Sequence, residues 1–158
     1  MIISFTGPRP PKIGGYDIPN PIFNHICRET EKTLLELKPD KCISGMALGY
    51  DTYAAKICIK LGIPFIAAVP FEGQDKVWKE DSKKEYKELL DKAVEVVYTS
   101  DPGYAAWKMQ VRNEWMVDNS DIVIACFNGS KGGTFNCVKY ATSKDKKVII
   151  INPNEVLF

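Results

Sequence analysis

Apolar residues fall along this chain in short blocks that alternate with stretches of helical spacing. Ile2-Ile3-Ser4-Phe5 is a brief apolar run stopped by Gly7-Pro8, which predicts a buried strand. A Pro- and Gly-rich loop runs from Gly7 to about Pro21. Phe23, Ile26, Cys27, Thr30, Leu34 and Leu37 then recur at helical spacing, and Pro39 closes that helix. Lys41 to Ser44 predicts a second strand. The next helix carries Ala54, Ala55, Cys58, Ile59 and Leu61 on its inner face and stops at Gly62. Ile63 to Val69 predicts a third strand, and Phe71 to Lys79 a long loop. Glu80 to Lys92 is a charged helix and Ala93 to Tyr98 a fourth strand. A helix from about Ala105 to Asn119 leads into a fifth strand, Asp121 to Phe127. A helix opened by Gly132-Gly133-Thr134 and running through Ala141 precedes the last strand, Lys147 to Ile151. Short strands alternating with helices predict an α/β fold: an open, mainly parallel sheet covered by helices on both faces.

Composition narrows the class. The chain has 158 residues, close to the size of one domain, and no linker or internal repeat divides it, so residues 1–158 are read as a single domain. Lys+Arg 21 against Asp+Glu 20 leaves a net charge of +1, which argues against nucleic acid as the main partner. No apolar run approaches the roughly 20 residues needed to cross a bilayer, so no membrane partner is expected. Cys27, Cys42, Cys58, Cys126 and Cys137 contain no C-x-x-C pair, and with the lone His25 they assemble no metal-ligand spacing. No metal and no cofactor is expected, and unpaired cysteines among apolar neighbours fit a cytoplasmic protein.

Ligands of open α/β sheets bind beyond the carboxyl ends of the strands, where strand order reverses. The loops leaving those ends are rich in special residues here: Thr6, Gly7 and Arg9 after the first strand, Gly45, Met46, Ala47, Gly49 and Asp51 after the second. Pro70 and Phe71 follow the third, and Gly129, Gly132, Gly133 and Thr134 the fifth. Gly132-Gly133-Thr134 opens a helix, so its backbone N–H groups and the positive helix end suit an anion. The glycines from Gly45 to Gly49 are read as a second such cradle, with helix capping as the alternative role of Asp51. Arg9 and Arg112 suit bidentate contacts to phosphate or carboxylate. Tyr16, Phe71, Trp78, Tyr104 and Trp107 lie in or beside irregular loops, where a ring can stack on a base or simply pack. Glu72, Asp75 and Glu114 are the acids considered for proton transfer. No spacing pairs any two of them, so no catalytic residue is assigned.

Three blocks carry a family likeness. Thr6-Gly7-Pro8-Arg9-Pro10, continuing to Gly14-Gly15-Tyr16, resembles the T-G-H-R-P…G-G-Y opening of the YpsA-like proteins, with Pro8 in place of their usual His. Ser44 to Thr52 is similar to their S-G-x-A-x-G-x-D-x stretch, and Arg112 to Asp121 followed by Gly132-Gly133-Thr134 to their third block. The resemblance implies the SLOG superfamily, with a Rossmann-like fold and nucleotide-derived ligands; relatives include the LONELY GUY phosphoribohydrolases and the DNA-processing protein A family. Against the LONELY GUY pattern, Gly133 and Thr134 match its Gly-Thr pair, while Cys137 stands where its catalytic glutamate would be. A thiol cannot do the work of that carboxylate.

The expected function is therefore binding, for sensing or sequestering, of a phosphate-bearing nucleotide or nucleotide-derived small molecule. Hydrolysis of a nucleoside 5′-monophosphate at its N-glycosidic bond is the alternative, and it needs an acid such as Glu72 or Glu114. Single-stranded DNA binding through a lysine patch (Lys131, Lys139, Lys144, Lys146, Lys147) is the second alternative. The helix bearing Trp107, Met109, Val111 and Trp115 is apolar on several sides, which fits either a homo-oligomer or packing within one subunit.

Overall fold

A computed structural model describes residues 1–155. Its strands are β1 (Ile2–Thr6), β2 (Lys41–Ser44), β3 (Phe65–Val69), β4 (Glu95–Tyr98), β5 (Ile122–Cys126) and β6 (Lys147–Ile151). The helices are α1 (Pro21–Leu37), α2 (Tyr50–Leu61), α3 (Glu80–Lys92), α4 (Trp107–Asp118) and α5 (Gly133–Ser143). All strands run parallel in one sheet of order β4-β3-β2-β1-β5-β6. Every residue of β3 and β5 is buried, as expected of central strands covered on both sides.

Alternation along the strands divides the core in two. Ile3, Phe5, Cys42, Phe65, Ala67 and Val69 face the layer built by α1, α2 and α3. Ile43, Ile66, Ala68 and Val123 face the opposite layer, where Met116 and Val117 of α4 and Cys137 and Ala141 of α5 meet them. Ser4 points into this second layer and is matched there by Ser120, Oγ to Oγ 2.9 Å. Trp115 packs on the sheet, whereas Trp107 at the start of α4 is 62% exposed.

Two strands start later than their apolar runs predict, for the same reason: the preceding helix claims the first residues. The Ile63 N–H donates to Cys58 O in the closing turn of α2, where Gly62 adopts the left-handed conformation (φ 71°). The Ala93 N–H donates to Leu89 O and Leu90 O, ending α3.

Topology then fixes where a ligand can sit. From β1 the chain steps outward through β2 and β3 to β4, then returns to place β5 on the other side of β1. Connections therefore leave β1 and β5 in opposite directions and open a crevice at their carboxyl ends.

Candidate functional site

The segment after β1 folds down onto the start of α2. A Cβ on Gly7 would stand 2.5 Å from Tyr50 Cβ, so only glycine lets the chain pass there. Pro8 O accepts the Tyr50 N–H (3.2 Å), and a Cβ on Gly49 (φ +93°) would meet that same carbonyl at 2.5 Å. A single 3-10 turn, Pro10–Lys12, follows and is pinned by the fully buried Ile13. This turn carries the Lys12 ammonium to 3.7 Å from where a Cβ on Gly132 would lie, beside the N-terminus of α5.

That N-terminus is bare. Gly132 is the N-cap, no side chain caps it, and the first turn of α5 holds no acid. The Asn136 N–H closes the first turn on Gly132 O (3.0 Å). Among the described residues no protein acceptor meets the N–H groups of Gly133, Thr134 or Phe135.

Arg112 reaches the same space from α4. It is only 6% exposed, yet its nearest partners are neutral: Nε donates to Asn113 Oδ1 (2.9 Å) and Nη1 to Gly45 O. No buried side-chain N or O atom among the described residues lacks a partner, and Nη2 has none in the protein, so Nη2 is not sealed and opens toward the cavity that Arg112 lines. Gly45 has to be glycine, because a Cβ there would stand 2.7 Å from Arg112 Nη1 and 2.9 Å from Asp51 Oδ2.

These groups surround a cavity of about 390 Å³ at the crevice between β1 and β5. Of the residues singled out in the sequence, Thr6, Gly7 and Arg9 line it from the β1 side. Ala47 and Asp51 line it from the β2 side, Arg112 from α4, and Gly132, Gly133 and Thr134 from α5. The two glycine turns, separated by one strand in the sheet, do come to one rim. Lys12, Asn113, Phe127, Asn128 and Lys131 also line the cavity and were not singled out as ligand contacts. For Lys12 a signal existed: apolar Ile13, set between Pro10-Pro11 and Gly14-Gly15, marks a loop that must pack inward.

Other expectations are corrected. At the N-terminus of α2, read as a second anion cradle, Pro8 O takes the Tyr50 N–H, so one of its donors is already filled by the protein. Asp51 does not cap that helix: Gly49 is the N-cap, and Asp51 Oδ2 instead accepts the Ala47 N–H (3.2 Å). Gly45, Gly49 and the fully buried Met46 (φ 60°) shape the wall from behind and do not line the cavity. Gly129 (φ 92°) forms the turn after β5 without lining it. Pro70 and Phe71 end β3, two strands away from β1, and lie outside the cavity.

Phe71, Trp78 and Tyr104 pack on other rings, and none of the five loop aromatics lines the cavity. Phe71 meets Tyr104 edge to face (centroids 6.0 Å) under the Lys108 ammonium (5.8 Å). Trp78 meets Tyr86 in the same way at 5.2 Å. Tyr16 and Trp107 are exposed, with Lys79 and Lys108 over their respective rings. Glu72, Asp75 and Glu114 lie outside the cavity; Glu114 accepts from Gln110 (3.2 Å). Cys137 is 1% exposed, behind Thr6, and burial pushes its thiol up to about 11, so no thiolate is available there at neutral pH.

Asp51 is the acid that the sequence reading passed over for proton chemistry. It is 5% exposed, and none of the ion pairs among the described residues includes it. Burial raises its carboxyl from 3.8 to about 6, against the pull of Arg112, the Ala47 N–H and Arg9. Burial in turn lowers the Arg112 guanidinium, with Asp51 the main opposing influence.

A six-strand parallel sheet with a cavity at its switch point places the protein among Rossmann-like α/β folds. The chain belongs to the YspA SLOG family, whose model matches residues 3–155. An uncharacterized SPbeta prophage-derived protein, YoqJ, of Bacillus subtilis is 40% identical over 116 residues, covering 63% of this chain and 67% of its own. DNA processing protein A of Streptococcus pneumoniae has the same fold at a TM-score of 0.69 and 18% identity. That likeness covers 94% of this chain but 49% of the pneumococcal one, so the chain spans about half of that protein. The molybdenum cofactor binding protein of the phototrophic bacterium Rippkaea orientalis matches at a TM-score of 0.60 and 22% identity, over 96% of this chain and 76% of its own. Among the described residues no helix is long and apolar enough to cross a membrane.

Proposed function

We propose that this protein binds a phosphate-bearing nucleotide or nucleotide-derived small molecule in the cavity between β1 and β5. The observation that carries the reading is a concentration of positive charge at one helix end. The Lys12 ammonium stands beside the bare N-terminus of α5, with Lys131 and Arg112 on the same cavity and no acid in that first turn. A cation placed at a helix N-terminus is repelled by the helix dipole, and a bound anion reverses the sign of that interaction. Three unfilled N–H groups and the free face of Arg112 suit the oxygens of one phosphate group. A fold neighbour named for binding the molybdenum cofactor is consistent with an organic ligand in such a fold. Unpaired cysteines fit a reducing cytoplasm.

The test is calorimetry and thermal shift against inorganic phosphate, nucleoside 5′-monophosphates and ADP-ribose. Binding is expected to raise the melting temperature with ligand concentration. Arg112→Lys, which keeps the charge but loses the planar fork, is expected to weaken it about tenfold or more. A folded protein that binds none of these ligands overturns the reading.

A second reading uses the same cavity for hydrolysis of a nucleoside 5′-monophosphate to free base and ribose 5-phosphate. Asp51 favours it, as the acid that lines the cavity together with Gly133 and Arg112. Its carboxylate would accept a proton from the attacking water as the C1′–N bond breaks and pass that same proton to the departing base nitrogen, while the hydroxyl stays on C1′. Chromatography decides: no base released by the wild type, or equal release by Asp51→Asn, removes this reading.

A further inference from the structure

Among the described residues that line the cavity, Asp51 carries the one carboxyl, on a wall that otherwise presents the cations Arg9, Lys12, Arg112 and Lys131. It is buried, and no ion pair among the described residues includes it. Its Oδ2 accepts the Ala47 N–H (3.2 Å), while Oδ1 has no partner among the described residues and is not sealed. Arg112 of α4 is the charged group beside it: Asp51 Oδ2 and Arg112 Nη1 lie 2.9 Å and 2.7 Å from one point, where a Cβ on Gly45 would stand. The other titratable groups facing these two are Arg9 from the segment after β1, Tyr50 of α2, Tyr86 of α3 and Cys137 of α5. Burial raises the Tyr50 hydroxyl well above its ordinary value, Tyr86 to about 12 and Cys137 to about 11, so all three stay neutral below pH 8.

An anion seated at the start of α5 also takes the free face of Arg112. That contact draws the guanidinium charge away from Asp51 and sets a second negative charge near a buried carboxylate. A carboxylate so placed is relieved by taking a proton. Resting on the binding reading above, and not on the hydrolytic one, which needs Asp51 ionised, we propose that anion binding is coupled to proton uptake: Asp51 takes a proton from solvent as the anion engages Arg112, and returns it when the anion leaves. The proton goes to the open Oδ1, because the Ala47 N–H holds Oδ2 as an acceptor, and the new O–H is a hydrogen-bond donor on the cavity wall.

The sign follows from the free protein. There Asp51 titrates at about 6, and the anion moves that value upward. Below pH 6 both states carry the proton and affinity is level. Above it, binding has to take up a proton, so affinity falls as pH rises until the raised value in the complex is passed. Like charges several ångströms apart in a partly dry cavity make the whole change about tenfold.

The experiment uses inorganic sulfate, a dianion that keeps its charge throughout pH 5–8, and measures its affinity by calorimetry at pH 5, 6, 7 and 8. The wild type is expected to bind it about tenfold more weakly at pH 8 than at pH 5. Asp51→Asn keeps the shape and an acceptor for the Ala47 N–H but cannot titrate. It is expected to bind at pH 8 about as tightly as the wild type does at pH 5, with no slope between. A second measurement needs only the wild type: binding heats at pH 6.5 in two buffers of different ionisation enthalpy are expected to report uptake of about half a proton per sulfate. Equal affinity from pH 5 to 8, or no proton uptake, overturns the inference while leaving the anion site standing. So does a folded variant that keeps the wild-type slope. Should sulfate bind at no pH, the anion site itself is refuted and this inference with it.

Discussion

Replacing Asp51 by Asn is expected to stabilise the unliganded protein at pH 8 and to do so less as the pH falls. Asp51 is 5% exposed, has no ion pair, and is raised by burial from 3.8 to about 6. The folded state therefore holds its proton more tightly than the unfolded state does. Stability contributed by this group is fully present below pH 3.8 and is lost as pH rises through 6. The whole displacement corresponds to about 3 kcal/mol. Of that, about 1.4 kcal/mol is recovered by the wild type on going from pH 8 to pH 5, because the folded state is by then about nine-tenths protonated and the unfolded state is not.

Asparagine does not titrate, so the difference in unfolding free energy between the two proteins isolates Asp51 from every other carboxylate. Asp40, for example, is held down by the N-terminal ammonium and acts with the opposite sign. Urea melts of both proteins at pH 5, 6, 7 and 8 are the assay. The advantage of the variant is expected to shrink by about 1.4 kcal/mol between pH 8 and pH 5, or about 3–6 °C in melting temperature for a chain of this size. A difference that stays constant across the series would refute the assignment of Asp51 as an uncompensated buried carboxyl.

Lys12→Ala is expected to weaken phosphate and AMP binding about three- to tenfold while leaving apo stability within about 0.5 kcal/mol or slightly raised, because the ammonium stands at the wrong end of α5 in the empty protein. Calorimetry and melts on the same samples check both halves; a loss of apo stability above that range contradicts the electrostatic account. Gly45→Ala places a methyl 2.7 Å from Arg112 Nη1 and 2.9 Å from Asp51 Oδ2, and is expected to cost about 1–3 kcal/mol together with most of the anion affinity, measured by urea melts and phosphate titration. Cys27, Cys126 and Cys137, pushed up to about 11, 12 and 11 by burial, are expected to resist a disulfide exchange reagent at pH 7.5 until denaturant is added. Rapid modification of Cys137 in the native protein would show that the layer behind Thr6 opens.

Much of this architecture can be read directly in the sequence, because the alternation of short apolar runs with helical spacing is a local property. The six strands follow from it, with errors of two residues where Gly62-Ile63 and Ala93 are claimed by the ends of α2 and α3. The rim formed by Gly132-Gly133-Thr134 and the Ala47–Asp51 turn follows as well, given that both leave carboxyl ends of strands in a parallel sheet. What local pattern cannot supply is which donors are already taken. Nothing near Tyr50 in sequence reveals that Pro8 O, forty-two positions earlier, takes the first N–H of α2. Without that fact Asp51 reads as an ordinary helix cap, and two glycine turns read as two equivalent anion sites. Phe71 and Trp78 mislead for a related reason: an aromatic in a loop looks available until its partner, Tyr104 or Tyr86, is located.

The charges in this cavity explain one another only when a ligand is included. Lys12 faces a positive helix end, Arg112 is buried with neutral acceptors as its hydrogen-bond partners, and Asp51 is buried without an ion pair. Each arrangement costs stability, and each would be relieved by a simpler residue at that position. Asp51 and Arg112 both approach the place where a Cβ on Gly45 would stand, at 2.9 Å and 2.7 Å, yet they form no ion pair. A bound phosphate would offset the charges of Lys12 and Arg112 together.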